Sequence, residues 1–254
     1  MAAPEPTTQQ LTERLGHHDE NVRLRAAMDL GLSTDPAAAR VLVDRLGTES
    51  EPAVREMITW ATVQHADHAR TELYVQLYSA EPEVRAQAAH VLSKIGGESI
   101  LSAILPVIDD DDPVVAVKVY RAAASTRSEA ACAALFGRLG VGDALVRDAL
   151  TDALASFDPD WTVRPLIAGL ADADPILQIH CADTLAEIGS PGADEAIDRL
   201  AEHLSDPGLP VRVAMLCALS RLDPARTEPI IRTVADGDDP ELAEVARRLA
   251  DLPR

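Results

Sequence analysis

The residues with most chemistry to offer are seven histidines and three cysteines. His180 and Asp183 sit three apart in one helical pattern, and Cys217 falls in the next. Together they supply three ligand types that suit Zn2+, with no clear fourth. His65 and His68 flank Asp67 in QHADH. Their spacing puts both imidazoles on one helical turn, a pattern that suits a transition metal, although an exposed link between helices would read the same way. Asp109 to Asp112 places four carboxylates in a row. The run lacks the spaced oxygens and central glycine of a calcium loop, and helix capping with solubility accounts for it. No glycine-rich phosphate loop, no Gly-x-Ser-x-Gly and no convincing Cys/His pairing occurs. The expectation is therefore a protein that is not an enzyme and needs no cofactor.

Charge narrows the partners. The 254 residues carry 42 acidic and 23 basic side chains, a net charge of −19. Such a surface repels nucleic acid and anionic lipid unless a local patch reverses the field. Only two lysines occur, Lys94 and Lys118. The cysteines are few, odd in number and inside helical patterns, so a disulfide framework is not expected. MAAPEPTTQQ has neither a basic nor an apolar run, and no segment reaches the roughly 18 apolar residues of a span. These features point to a soluble cytoplasmic protein with no membrane partner.

The elements that position these residues repeat. In EPEVRAQAAHVLSKIGG, Glu81 to Gly97, Glu81 reads as an N-cap before Pro82, and Val84, Ala88, Val91, Leu92 and Ile95 fall on one helical face. Gly96-Gly97 supply the stop. Equivalents of Val84 are Val22, Val54, Val115, Val146, Leu177, Val211 and Leu242, mostly 31 residues apart. An acidic residue precedes the anchor by three at Asp19, Glu51, Glu81, Asp112, Asp143, Asp174 and Asp239. The fourth and eighth residues after each anchor are small or apolar and form the core columns. Shorter apolar patterns, such as ILSAILPVI and EAIDRLAEHL, supply a first helix before each of these. The spacing predicts one all-α domain over 1–254, an α-solenoid of about eight antiparallel helix pairs. Aromatics at 3% suit such closely stacked helices. SDPGLP, Ser205 to Pro210, is expected to hold about three extra residues and to delay the next helix to Pro210.

VRPLIAGLADADPILQIHCADTLAEIG and the Glu81–Gly97 stretch resemble HEAT repeats, specifically the short bacterial HEAT-like or phycobilisome-lyase-like repeats. The resemblance covers about residues 8 to 250 and implies a right-handed superhelix whose second helices line a concave face. It also implies a ladder between neighbouring repeats formed by the acid before the anchor and the arginine after it. Asp19/Arg23, Glu51/Arg55, Glu81/Arg85 and Asp143/Arg147 match that pattern. Deoxyhypusine hydroxylase resembles this fold but uses His-Glu dipeptides, and none occurs here.

Positions three, six and ten after each anchor avoid the core columns and so face outward from the second helices. In the first four repeats they carry Arg25, Met28, Met57, Trp60, Gln87, His90, Lys94, Lys118 and Arg121. This is a basic patch with apolar anchors in an acidic protein, and Trp, Arg and Met dominate interface energetics. Repeats five and six carry Asp148, Asp152, Asp183 and Glu187 instead. The favoured expectation is a scaffold that binds a protein or peptide partner through an acidic or amphipathic segment, docked on the N-terminal half. The alternative is a metal-binding protein or metal-dependent enzyme using His180, Asp183 and Cys217.

Overall fold

The structure is a computed structural model that describes residues 6–250. Half of the MAAPEPTTQQ segment, residues 1–5, lies outside it. The described residues form sixteen α-helices, paired as eight repeats, with short 3-10 turns. Two compact parts divide at Thr126.

In the N-terminal part the first helices are α1 (Thr8–Leu15), α3 (Ala37–Leu46), α5 (Ala66–Gln76) and the short α7 (Leu101–Ile104). The second helices are α2 (Glu20–Gly31), α4 (Pro52–Gln64), α6 (Pro82–Ile95) and α8 (Pro113–Ser125). Each second helix packs on the next, α2 on α4, α4 on α6 and α6 on α8. The predicted core columns form that seam. Ala26, Ile58, Ala88 and Val119, then Leu30, Thr62, Leu92 and Ala123, are all buried. Small side chains set the close approach. A Cβ on Gly31 would fall 2.6 Å from Cζ3 of Trp60 and 2.9 Å from Cα of Ala61. Gly96 ends α6 at φ 64, a conformation that L side chains rarely adopt. The next N–H, of Gly97, then donates to Ser125 O, tying the link to the end of α8.

The C-terminal part repeats the plan. Its first helices are α9 (Glu129–Phe136), α11 (Pro159–Gly169), α13 (Ile197–Glu202) and α15 (Pro224–Ala235). Its second helices are α10 (Ala144–Ala155), α12 (Pro175–Ile188), α14 (Leu209–Leu219) and α16 (Pro240–Ala250). Leu150, Cys181, Met215 and Ala246 continue the fourth-position column, fully buried.

Four expectations change. First, ILSAILPVI and EAIDRLAEHL are not continuous helices: 3-10 turns flank α7 and α13 on both sides. Pro106 lacks the N–H a helix would need there, yet Pro165 and Pro229 sit inside the unbroken α11 and α15.

Second, the extra three residues lie elsewhere. Gly96 and Gly189 end their helices in the same way, and the N–H groups after them bond Ser125 O and Arg221 O alike. The next turn of structure starts at Glu98 after Gly96 but at Asp194 after Gly189. The insertion is therefore in the link that contains Pro191, and SDPGLP has ordinary length. Helix α14 enters at Leu209, one residue before Pro210.

Third, Glu51 and Glu81 stand at N-cap positions without a side-chain capping bond. Asp19, Asp112, Asp143 and Asp174 do cap. The extra methylene of glutamate carries its carboxylate past the helix N–H groups that aspartate reaches.

Fourth, the ladder uses a different acid. Arg23 reaches Glu49, two residues before the N-cap of the next repeat, through two bonds of 2.9 Å. Arg85 reaches Asp110, the equivalent position, at 2.7 and 3.0 Å. Each arginine also donates to two carbonyls of its own turn, His17 and His18 or Ser79 and Ala80. Glu49 and Asp110 in turn accept the N–H of Glu51 and Asp112. In these two repeats the side chain two residues before the cap serves both the arginine and the turn. Arg212 instead pairs with Asp239, the acid three before the next anchor, which also accepts the N–H groups of Glu241 and Leu242. Among the described residues Arg55 finds only Ser50 O at 3.4 Å, and Arg147 only Gly142 O.

Candidate partner-binding surface

The N-terminal patch rests on α2, α4, α6 and α8. Because the core columns face the seam between these helices, columns three, six and ten are driven outward. Arg25, Lys94 and Arg121 are exposed, whereas Met28, Met57, Gln87, His90 and Lys118 are half-buried. Trp60 combines both roles. Its ring edge lies over Gly31 of α2, yet 39% of the residue stays exposed. Arg25 is drawn toward Asp29 on its own helix at 3.5 Å.

The tightest grouping joins α4, α6 and α8. His90 Nε2 is 3.7 Å from Glu56 Oε2. Burial, then Lys118, hold the His90 imidazole below its ordinary value, and Glu56 only partly opposes them. Lys118 is lowered by burial first and by Arg121 next, with Lys94 and Arg55 adding to the effect and Glu56 opposing it. Arg55, Lys94 and Arg121 are thus near enough to Lys118 to disfavour its charge, and Glu56 is the carboxylate that favours it. Among the described residues no carboxylate oxygen lies within 4.0 Å of Lys94, Lys118 or Arg121. Arg55 and Glu56 were not among the partner-binding candidates, because they fall outside positions three, six and ten. Positions one and two after the Val54 anchor would have revealed them.

The second-helix face of the C-terminal part has the opposite sign. Asp148, Asp152, Asp183 and Glu187 are exposed there. Loss of surrounding water, and then the neighbouring Asp148, raise the Asp183 carboxyl even though its tip reaches solvent. A cavity of about 230 Å3 is lined by Arg147, Asp148, Thr151, Ile176, His180 and Asp183. His180 is buried, and both its ring nitrogens are engaged. Nδ1 accepts the N–H of Gly140 at 3.0 Å, and Nε2 donates to Arg147 O at 3.1 Å. Burial pulls its pKa down to about 4, so it is a neutral structural strut. Cys217 is half-buried, and its thiol is raised by burial and then by Asp183. Among the described residues no three His, Cys, Asp or Glu side chains are placed to hold a metal ion, so His180, Asp183 and Cys217 do not form a ligand set.

The QHADH segment is likewise structural. His65 is buried between α4 and α5, and its Nε2 bonds Leu30 O at 2.9 Å, while His68 is exposed. The segment is therefore a tie to the end of α2 rather than an open link.

Repeating helix pairs, a seam of small residues and turns closed by arginine–acid pairs define an α-solenoid. The chain belongs to the HEAT repeat family, whose model matches residues 3–63, 71–155 and 163–250. Solved structures show the same fold at low identity. Kap121p bound to Pho4p is 13% identical with a TM-score of 0.61, over 95% of this chain and 33% of that one. Importin beta is 14% identical with a TM-score of 0.60, over 95% and 40%. A chain from a structure of microtubule plus-end tracking by XMAP215, CLIP-170 and EB1 is 15% identical with a TM-score of 0.53, over 71% and 89%. No curated protein matches the sequence. Among the described residues no helix is long and apolar enough to cross a membrane.

Proposed function

We propose that this protein is a non-enzymatic, cytoplasmic interaction scaffold. Its second-helix face on α2, α4, α6 and α8 receives an acidic or amphipathic segment of a protein partner. The observation that carries the reading is the cluster of His90, Lys94, Lys118 and Arg121 on α6 and α8, together with the exposed Trp60 on α4. Placing the half-buried Lys118 near Arg121, Lys94 and Arg55 costs stability in the free protein. A partner carboxylate relieves that cost, and Trp60, Met57 and Met28 give the partner an apolar footing. The fold is one on which a protein can dock, as Pho4p does on Kap121p. We treat the eight repeats as one working domain, because the anchor spacing from Val115 to Val146 continues the register across Thr126.

The test is site-specific photocrosslinking from Gln87, with Thr233 on α15 as control position. A partner crosslinked from Gln87, absent from Thr233 and lost in Trp60→Ala/Arg121→Glu supports the assignment. A partner that crosslinks equally in the double variant refutes it.

A further inference from the structure

We propose that the cluster on α6 and α8 is a site for a dianionic oxyanion, a phosphomonoester carried by the partner segment. The inference deepens the proposed docking function and rests on it. His90 and Lys94 are one turn apart on α6, and Lys118 and Arg121 one turn apart on α8, the helix packed against it. The four cationic or protonatable groups thus come from two adjacent elements, with Arg55 and Glu56 closing the side toward α4. Glu56 supplies one negative charge at 3.7 Å from His90, and Lys118 still feels a surplus of positive charge. One carboxylate does not balance this group. A dianion with three acceptor oxygens does, since lysine, arginine and protonated histidine each donate a charge-assisted bond to such oxygens.

Half-burial of His90 and Lys118 strengthens each contact over what a fully wet surface would give. His90 is mainly neutral in the free protein because burial, Lys118 and Lys94 disfavour its charge, while Glu56 favours it. A dianion reverses that balance. Binding at neutral pH therefore takes up a proton on His90, and the Glu56 carboxylate is displaced. A repeating polyanion is disfavoured, because a net charge of −19 repels every phosphate beyond the first.

The probe is methyl phosphate with the full-length chain, at about pH 7.5, where a phosphomonoester with second pKa about 6 is a dianion. NMR of the His90 ring reads the site directly. Expected are saturable shifts, a rise in the His90 pKa and roughly tenfold weaker binding in Lys118→Gln. Glu56→Gln should bind more tightly. Acetate shifting His90 as strongly as methyl phosphate overturns the dianion assignment. So does an unchanged His90 pKa, or an oligothymidylate that binds tighter than a phosphoserine peptide. Failure here with crosslinking at Gln87 still lost in Trp60→Ala/Arg121→Glu rejects the phosphate and leaves the docking face standing. Failure here together with crosslinking at Gln87 that persists in the double variant rejects the docking face as well.

Discussion

Replacing Glu49 by glutamine tests whether the arginine–acid pairs between repeats hold the stack together. The Glu49 side chain is wholly enclosed and accepts bonds from Arg23, Arg45 and the N–H of Glu51. Burial alone would raise its pKa. Arg23, the Glu51 N–H and Arg45 outweigh burial and bring it down from 4.5 to about 2. A shift of that size corresponds to at most about 3 kcal/mol, and about 2 once solvent at the edge of the pair is allowed for. Because the folded value lies below the unfolded one, this stabilisation is complete above about pH 4.5 and disappears as pH falls toward 2. Glu49→Gln should therefore destabilise the chain by about 2–3 kcal/mol at pH 7, and by only about 1 near pH 3. Titrations common to both proteins cancel in the difference. Urea unfolding followed by Trp60 fluorescence suits the measurement, since the Trp60 ring lies on Gly31 and reports the same α2–α4 seam. Trp161, the other tryptophan, is changed to phenylalanine in both proteins. A gap below about 1 kcal/mol at pH 7, or one that does not shrink in acid, would refute the reasoning.

Other outcomes follow from the same geometry. Gly31→Ala should cost about 1–3 kcal/mol in urea unfolding, because its Cβ meets Trp60 and Ala61. Gly16→Ala, whose Cβ meets nothing closer than 3.5 Å, should stay within about 0.5 kcal/mol. Arg85→Ala removes two bonds to Asp110 and two to carbonyls and should cost about 1–3 kcal/mol, against under about 0.5 for Arg55→Ala with its single 3.4 Å contact. Burial, and then Glu129, raise the Cys132 thiol to about 11, and burial, then Asp172, bring Cys181 to about 12. Alkylation of the native protein near pH 8, read by mass spectrometry, should label Cys217 first and leave Cys132 and Cys181 unmodified until the chain unfolds.

The helix pairs were legible because burial in stacked helices imposes one period on one face. Val54, Ile58 and Thr62 announce the seam of α4 from spacing alone, and all three are buried as that spacing requires. Hydrogen bonding was less legible, since it depends on reach rather than on type. Glu49 and Glu51 are both acids before the same anchor. Only the geometry of the turn selects Glu49 for Arg23 and leaves Glu51 at the cap without a side-chain bond. The three inserted residues fitted either of two Pro- and Gly-containing loops, and only the hydrogen-bonded ends of α6 and α12 assign them to the link at Pro191. His65 and His180 looked like ligands because type and spacing say nothing about whether a ring nitrogen is already bonded. In both cases a carbonyl of another helix claims it. The basic patch was visible in outline, but Arg55 and Glu56, which also act on Lys118, lie one and two residues after the Val54 anchor, where the pattern points to the ladder rather than to an outward face.

A stacked repeat keeps its structural and recognition residues in different columns. The core columns of α6 and α8 hold alanine, valine and leucine, small or apolar as in the other repeats. Nothing about stacking asks for Lys118, whose neighbours Arg121, Lys94 and Arg55 disfavour its charge. A neutral residue there would satisfy the fold at lower cost. The arginines that do serve the fold, Arg23 and Arg85, are each answered by a carboxylate and two carbonyls. Lys94, Lys118 and Arg121 have no such answer among the described residues. Arg23 and Arg85 are neutralised by carboxylates of the chain, whereas among the described residues Lys94, Lys118 and Arg121 meet none within 4.0 Å. The proposed docking of an acidic partner segment rests on that contrast within one chain, rather than on the presence of basic residues as such.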